Sequence, residues 1–266
     1  MLIVGELINA SRPAVRKMIE ERNSAALARL AQEQRAHGAD YIDVNAGVFV
    51  GREAELLEWM VSTVQGAVDA PCCIDSPDPQ AIAAALSVHK GQAIINSISL
   101  EKERYERLLP IAAESECNVV ALCMSDEGMP ETADQRLRIA HQLVNGLVKR
   151  GVPLDRIYVD PLVQPVATNG AFGMEFLMAV ERIMGAFPGV HTICGLSNIS
   201  FGLPARKFLN RSFMVMAISR GLDSAIVNPL DGGMMACIAA AETLAGKDPY
   251  CMGYLKAFRA GKLPSS

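Results

Sequence analysis

Acids and primary amides recur at the ends of short apolar runs along this chain. Glu6 follows the first run, with Asn9 close behind it. Asp43-Val44-Asn45 closes the second, where a period of two puts Asp43 and Asn45 on the same side. Asp75-Ser76, Asn96-Ser97, Asp160-Pro161, Gly195-Leu196-Ser197-Asn198 and Asn228-Pro229 end later runs. Lysine and arginine are missing from every one of these ends. A single Asp or Asn after a strand is ordinary turn chemistry. A series of them, two directly after unbroken apolar runs, points to a shared cavity. Carboxylates and amides gathered without cations suit a neutral, flat, donor-rich heterocycle. A pterin has that character: its 2-amino group and adjacent ring N–H donate together to a carboxylate, and its carbonyl accepts from an amide. The missing cations argue against a phosphate as the main handle and against a Schiff-base lysine.

Other chemistries find less support. His37, His89, His141 and His191 form no HxH or HxxxH pair, so no bound metal is expected. The seven cysteines include no CxxC pair, and most are expected to be buried as small apolar residues. Their odd number, with an acid at Glu6 where a secretion signal would stay apolar, implies a reducing, cytoplasmic setting. No apolar stretch reaches the ~18 residues of a membrane span. A net charge of -4 gives no basic face for nucleic acid.

The elements that must position these groups follow a βα rhythm. Strands are expected at Leu2–Val4, Tyr41–Val44, Cys72–Ile74, Ala93–Ile95, Asn118–Leu122, Arg156–Val159, His191–Cys194 and Ser224–Val227. Between them, apolar residues recur at helical spacing, as in Leu56, Leu57, Met60, Val61 and Val64. Asn23 is a fitting N-cap, and Gly38, Gly151 and Gly221 stand where a helix ends. Eight such units in 266 residues predict one closed (β/α)8 TIM barrel over 1–266, an open doubly wound sheet being the alternative. The tail from Gly261 to Ser266 is expected to fray.

Six motifs now stand in order: Gly5-Glu6-Leu7-Ile8-Asn9, Asp43-Val44-Asn45-Ala46-Gly47, Ile74-Asp75-Ser76, Ile94-Ile95-Asn96-Ser97, Val159-Asp160-Pro161-Leu162 and Gly195-Leu196-Ser197-Asn198. Together they resemble the pterin-binding (β/α)8 family, above all its methyltetrahydrofolate:corrinoid protein methyltransferases. The folate module of cobalamin-dependent methionine synthase and dihydropteroate synthase are relatives. The resemblance implies that Asp75, Asn96 and Asp160 hold the pterin ring and that Asn198 lies near N5, the methyl-bearing nitrogen. Glu6, Asn9, Asp43, Asn45 and Ser197 match positions lining the same cavity. Leu7, Pro77 and Asn228 depart from the family pattern, which bears on the methyl donor and partner more than on the pterin site.

The implied reaction moves a methyl group between N5 of tetrahydrofolate and a corrinoid cobalt, in either direction. Asn198, Asp75 and Asp160 would be its catalytic residues. Nothing here resembles the Asp-x-His-x-x-Gly signature of a cobalamin carrier, so the corrinoid would arrive transiently on a separate protein. The family likeness also implies a homodimer. Two alternatives remain. A dihydropteroate synthase would need cations for pyrophosphate and resembles enzymes with Ser-x-Lys on strand seven, whereas this chain has Ser197-Asn198 and places Arg206-Lys207 later. A folate-binding barrel without catalysis would keep the same polar ring.

Overall fold

Strands and helices alternate from end to end of the computed structural model, which describes residues 1–263. In chain order they are β1 (Leu2–Asn9), α1 (Pro13–Glu20), α2 (Ser24–Ala36), β2 (Tyr41–Asn45), α3 (Glu53–Ala67), β3 (Cys72–Asp75), α4 (Pro79–Val88) and β4 (Ile94–Leu100). Then follow α5 (Lys102–Glu114), β5 (Asn118–Ser125), α6 (Ala133–Lys149), β6 (Ile157–Asp160), α7 (Phe172–Ala186), β7 (His191–Thr192), α8 (Arg206–Ser219), β8 (Ser224–Val227), α9 (Gly232–Leu244) and α10 (Met252–Arg259). All strand pairs are parallel, in the order β7-β6-β5-β4-β3-β2-β1-β8. At the seam between β7 and β8, the Ile226 amide donates to the Cys194 carbonyl at 2.9 Å, and Gly195 bridges Ile226. That seam closes the ring, so the fold is a (β/α)8 barrel and not an open sheet.

Alternation along each strand sorts side chains to two sides. Val4, Tyr41, Cys73, Ile94, Val120, Tyr158 and Ile193 pack together inside the ring as an apolar floor. Their neighbours Ile42, Val44, Cys72, Ile74, Ile95 and Val159 join the core beneath the helices. Two residues beyond the floor on the same strands come Asp43, Asp75, Asn96 and Asp160. The same period therefore lifts a polar layer above the apolar one, at the carboxyl end where barrel enzymes act.

Local signals match these boundaries. Asn23 caps α2 by accepting from the Ala26 amide at 3.0 Å, and Asp78 caps α4 from Gln80 at 3.0 Å with Pro79 at the first helical position. Thr132 and Gln135 form a capping box on α6. Gly38, Gly151 and Gly221 all take positive φ after their helices.

Three expectations need correction. The seventh strand is only His191–Thr192, because Gly195 and the 3-10 turn Leu196–Ser200 divert the chain over the barrel mouth. Helix α1 escapes a periodicity reading because it is eight residues long and buries only Val15 and Ile19. Helix α10 buries none of its residues and so carries no inward stripe; it ends at Arg259, just before the expected frayed tail. The last three residues of that tail, 264–266, lie outside the described residues. All seven cysteines are free thiols, five of them buried. No helix among the described residues is long and apolar enough to cross a membrane.

Candidate active site

Strand register gathers the polar layer. Asn9 pairs with Asn45, Asn45 with Asp75, and Asp75 with Asn96, so four consecutive strands present an amide or acid at one level. Asp160 ends β6, two strands beyond Asn96. Asn45 Nδ2 donates to Asp75 Oδ2 at 2.8 Å, while Asn45 Oδ1 accepts from the Gly47 amide at 3.0 Å and is thereby oriented.

Two bulges shape the rim, as is common beside active sites. On β1 the register jumps between Gly5 and Ile8, freeing the Leu7 amide from the ladder. Gln34 of α2 accepts that N–H at 2.9 Å. Gly5 permits the approach, since a Cβ there would stand 2.5 Å from the Gln34 oxygen. On β4 the register slips between Asn96 and Ile98. The Ser97 carbonyl and hydroxyl are taken up by Arg104 of α5, from Nε at 2.9 Å and Nη2 at 3.3 Å. Beneath β3, the buried Ser76 hydroxyl donates to Glu53 of α3 at 2.5 Å.

Burial sets the protonation of the acids. Asp43 is 2% exposed, and desolvation joined by the charges of Asp75 and Glu6 pushes its carboxyl well above the usual range. Its Oδ1 has no hydrogen-bond partner. Desolvation also raises Asp75, against the opposing pull of Asn45 and Arg104. Asp160 is pushed up to about 7 by burial, although its Oδ1 accepts from the Leu162 amide at 2.8 Å. Glu6 rises by burial too, partly offset by Arg12 at 2.6 Å. A mouth of closely set, partly protonated carboxyls can both accept from and donate to a heterocycle.

Not every candidate turns into this cavity. Asn9 spends its Oδ1 on the Ser11 amide at 2.9 Å, holding the turn into α1. Ser197 and Asn198 sit in the 3-10 turn after β7, where Asn198 is exposed at the rim. The Ser197 carbonyl accepts from Arg206 Nη2 at 2.6 Å.

The expectation of a cation-free mouth is overturned. Arg12, Arg104 and Arg206 all reach it, each from a helix start just after the strand end it serves. Strand ends alone conceal them, although each stands within nine residues of the group it serves. The first turns of the following helices carried that signal. Among the described residues no group of three or more His, Cys, Asp and Glu side chains is placed to hold a metal ion.

An eight-stranded parallel barrel with acids and amides from neighbouring strands at its carboxyl end defines a class of small-molecule enzymes. Residues 5–228 match the pterin binding enzyme family, and the chain belongs to that family. It is 39% identical to the methylcorrinoid:tetrahydrofolate methyltransferase of Eubacterium limosum, over 99% of this chain and 98% of that protein. It is 32% identical to methionine synthase of Mycobacterium tuberculosis over 86% of this chain, which spans 20% of that larger protein. Among solved structures, 7,8-dihydropteroate synthase from Vibrio fischeri ES114 superposes with a TM-score of 0.71 at 15% identity, over 92% of this chain and 93% of that one. This last likeness concerns the fold alone.

Proposed function

We propose that this protein transfers a methyl group from the cobalt of a methylcorrinoid, carried on a separate protein, to N5 of tetrahydrofolate. The observation that carries the reading is the end-to-end identity with a relative named for that reaction and direction. In this reading residues 1–266 act as one pterin-binding barrel domain in the cytoplasm. Asp75 and Asp160 accept from the ring's N–H donors and Asn96 serves its polar edge. Glu6, Asp43, Asn45 and Ser197 complete the cavity wall, with Asn9 behind the turn.

The N5 lone pair attacks the methyl carbon, the carbon–cobalt pair stays with the metal as Co(I), and N5 sheds its proton. That proton leaves to water at the open mouth, while Asp160, titrating near 7 in the same cavity, helps the ring hold its charge. Asn198, whose amide both donates and accepts, is assigned to N5 as charge develops there, an interaction that speeds reaction only if it strengthens in the transition state. The protein works as a homodimer. Its support is the run of exposed apolar side chains on α8 and its approach, with Phe201 65% and Phe208 75% exposed.

Mixing the enzyme with methylcobalamin and tetrahydrofolate tests the function. The expected result is loss of the methyl–cobalt absorbance with stoichiometric 5-methyltetrahydrofolate. Asn198→Ala should slow this by about 100-fold while changing tetrahydrofolate affinity less than about tenfold. Binding of folate without any cobalt change would mark a binder. Product from p-aminobenzoate and pterin pyrophosphate would mark a synthase.

A further inference from the structure

We propose that Arg136 is a positioning residue for Asp160: from the first turns of α6 it grips the back of the Asp160–Leu162 turn and thereby presents the carboxyl to the cavity. The inference rests on the pterin role given to Asp160 above, and its tests separate the two.

Arg136 is fully buried, and among the described residues no carboxylate forms an ion pair with it. A buried guanidinium ordinarily requires one. Its donors go instead to two consecutive carbonyls, Nε to Pro161 at 2.8 Å and Nη2 to Leu162 at 3.4 Å, while Nη1 is left buried without a partner. Those carbonyls belong to the turn whose Leu162 amide donates to Asp160 Oδ1 at 2.8 Å. Leu162 adopts φ +66, a left-handed conformation unfavourable for a branched side chain. The turn thus faces two ways: its N–H points at the carboxyl, and its carbonyls point at the guanidinium.

The anchor is itself held. Thr132 and Gln135 cap the helix start, Glu175 of α7 accepts from the Ala133 amide at 2.6 Å, and the Gln164 side chain donates to the Pro130 carbonyl at 2.5 Å. The charge of Arg136 also favours ionised Asp160, against desolvation. Glu175 of α7 also acts on Arg136 by its charge, and the groups facing Asp160 itself are the thiols of Cys123 on β5 and Cys194 beyond β7, both driven well above their ordinary range by burial. Asp160 is therefore the group that titrates there near neutrality.

The test uses the ligand-free enzyme and tetrahydrofolate itself. Carboxyl carbon NMR should show Asp160 titrating about one pH unit or more higher in Arg136→Met than in the wild type. Arg136→Lys, which keeps the charge but loses the fork, should fall between. An unchanged Asp160 titration in both variants overturns the proposal, whatever the ligand of the site. In calorimetric titrations Arg136→Lys should weaken tetrahydrofolate binding about tenfold, and Leu162→Gly in the same chain should restore part of that by relieving the left-handed turn. In the Arg136→Lys/Asp160→Asn double variant the loss should equal that of Asp160→Asn alone; losses that multiply would overturn the coupling. If Asp160→Asn binds tetrahydrofolate like the wild type, the pterin assignment fails while the titration still decides the role of Arg136. Should Arg136→Met not fold, Arg136→Lys carries the same measurements.

Discussion

Asp160 keeps its proton up to about pH 7 in the folded barrel, whereas an unfolded aspartate loses it near 4. Between those values the folded state holds the extra proton, so stability falls as pH rises through this window. Asp43 and Asp75, also raised, add in the same direction. The ligand-free protein should therefore melt at a lower temperature at pH 8 than at pH 5.5. Asp160→Asn should flatten that slope in scanning calorimetry, and a slope unaltered by the substitution would contradict the protonation described. At this scale the sequence was informative where a functional residue ends a strand, as at Asp75, Asn96 and Asp160. It was silent on Arg136 and Glu53, whose partners lie 25 and 23 residues away in the chain and meet them only once the helices fold back. Arg104, by contrast, stands seven residues past Ser97, in a first helical turn and not at a strand end.

Each strand that enters the mouth irregularly leaves a backbone group unpaired, and a helix side chain takes it up. Gln34 serves the β1 bulge and Arg104 the β4 bulge. An unsatisfied buried group costs about 1–3 kcal/mol. Gly5→Ala should cost about that much, since its methyl would displace the Gln34 oxygen from the Leu7 amide. Urea unfolding checks this, and stability equal to the wild type would show that the contact is dispensable. Eight strands and eight of the helices could be read from periodicity and caps because each long helix buries a continuous stripe. Helix α1, with two buried residues, and α10, with none, lack that stripe. The bulges are equally invisible in sequence, since a register slip arises only once two strands pair.

Across the whole molecule, closure depends on the thin β7–β8 seam, and the chain crossing it carries Ser197 and Asn198 to the rim. The apolar residues left outward on the last third of the barrel, Phe201 and Phe208 among them, fit burial against a second copy. Phe208→Asp should convert the proposed homodimer to monomers in sedimentation velocity; a wild-type protein already monomeric at micromolar concentration would remove that part of the account. The barrel and its strand-end acids were legible in advance because both follow from one period-two pattern. The encircling arginines were not, and the cavity is more cationic at its edge than that pattern implies.

Pterin capture by the strand-end acids is the claim on which the remainder stands. Calorimetric titration of tetrahydrofolate into wild-type and Asp75→Ala protein at pH 7.5 addresses it directly. Loss of two hydrogen bonds to a charged acceptor, at about 1.5–3 kcal/mol each, predicts binding weakened by at least about 100-fold in the variant, with cooperative unfolding retained. Equal affinity in the two proteins would place the ring elsewhere and contradict the account.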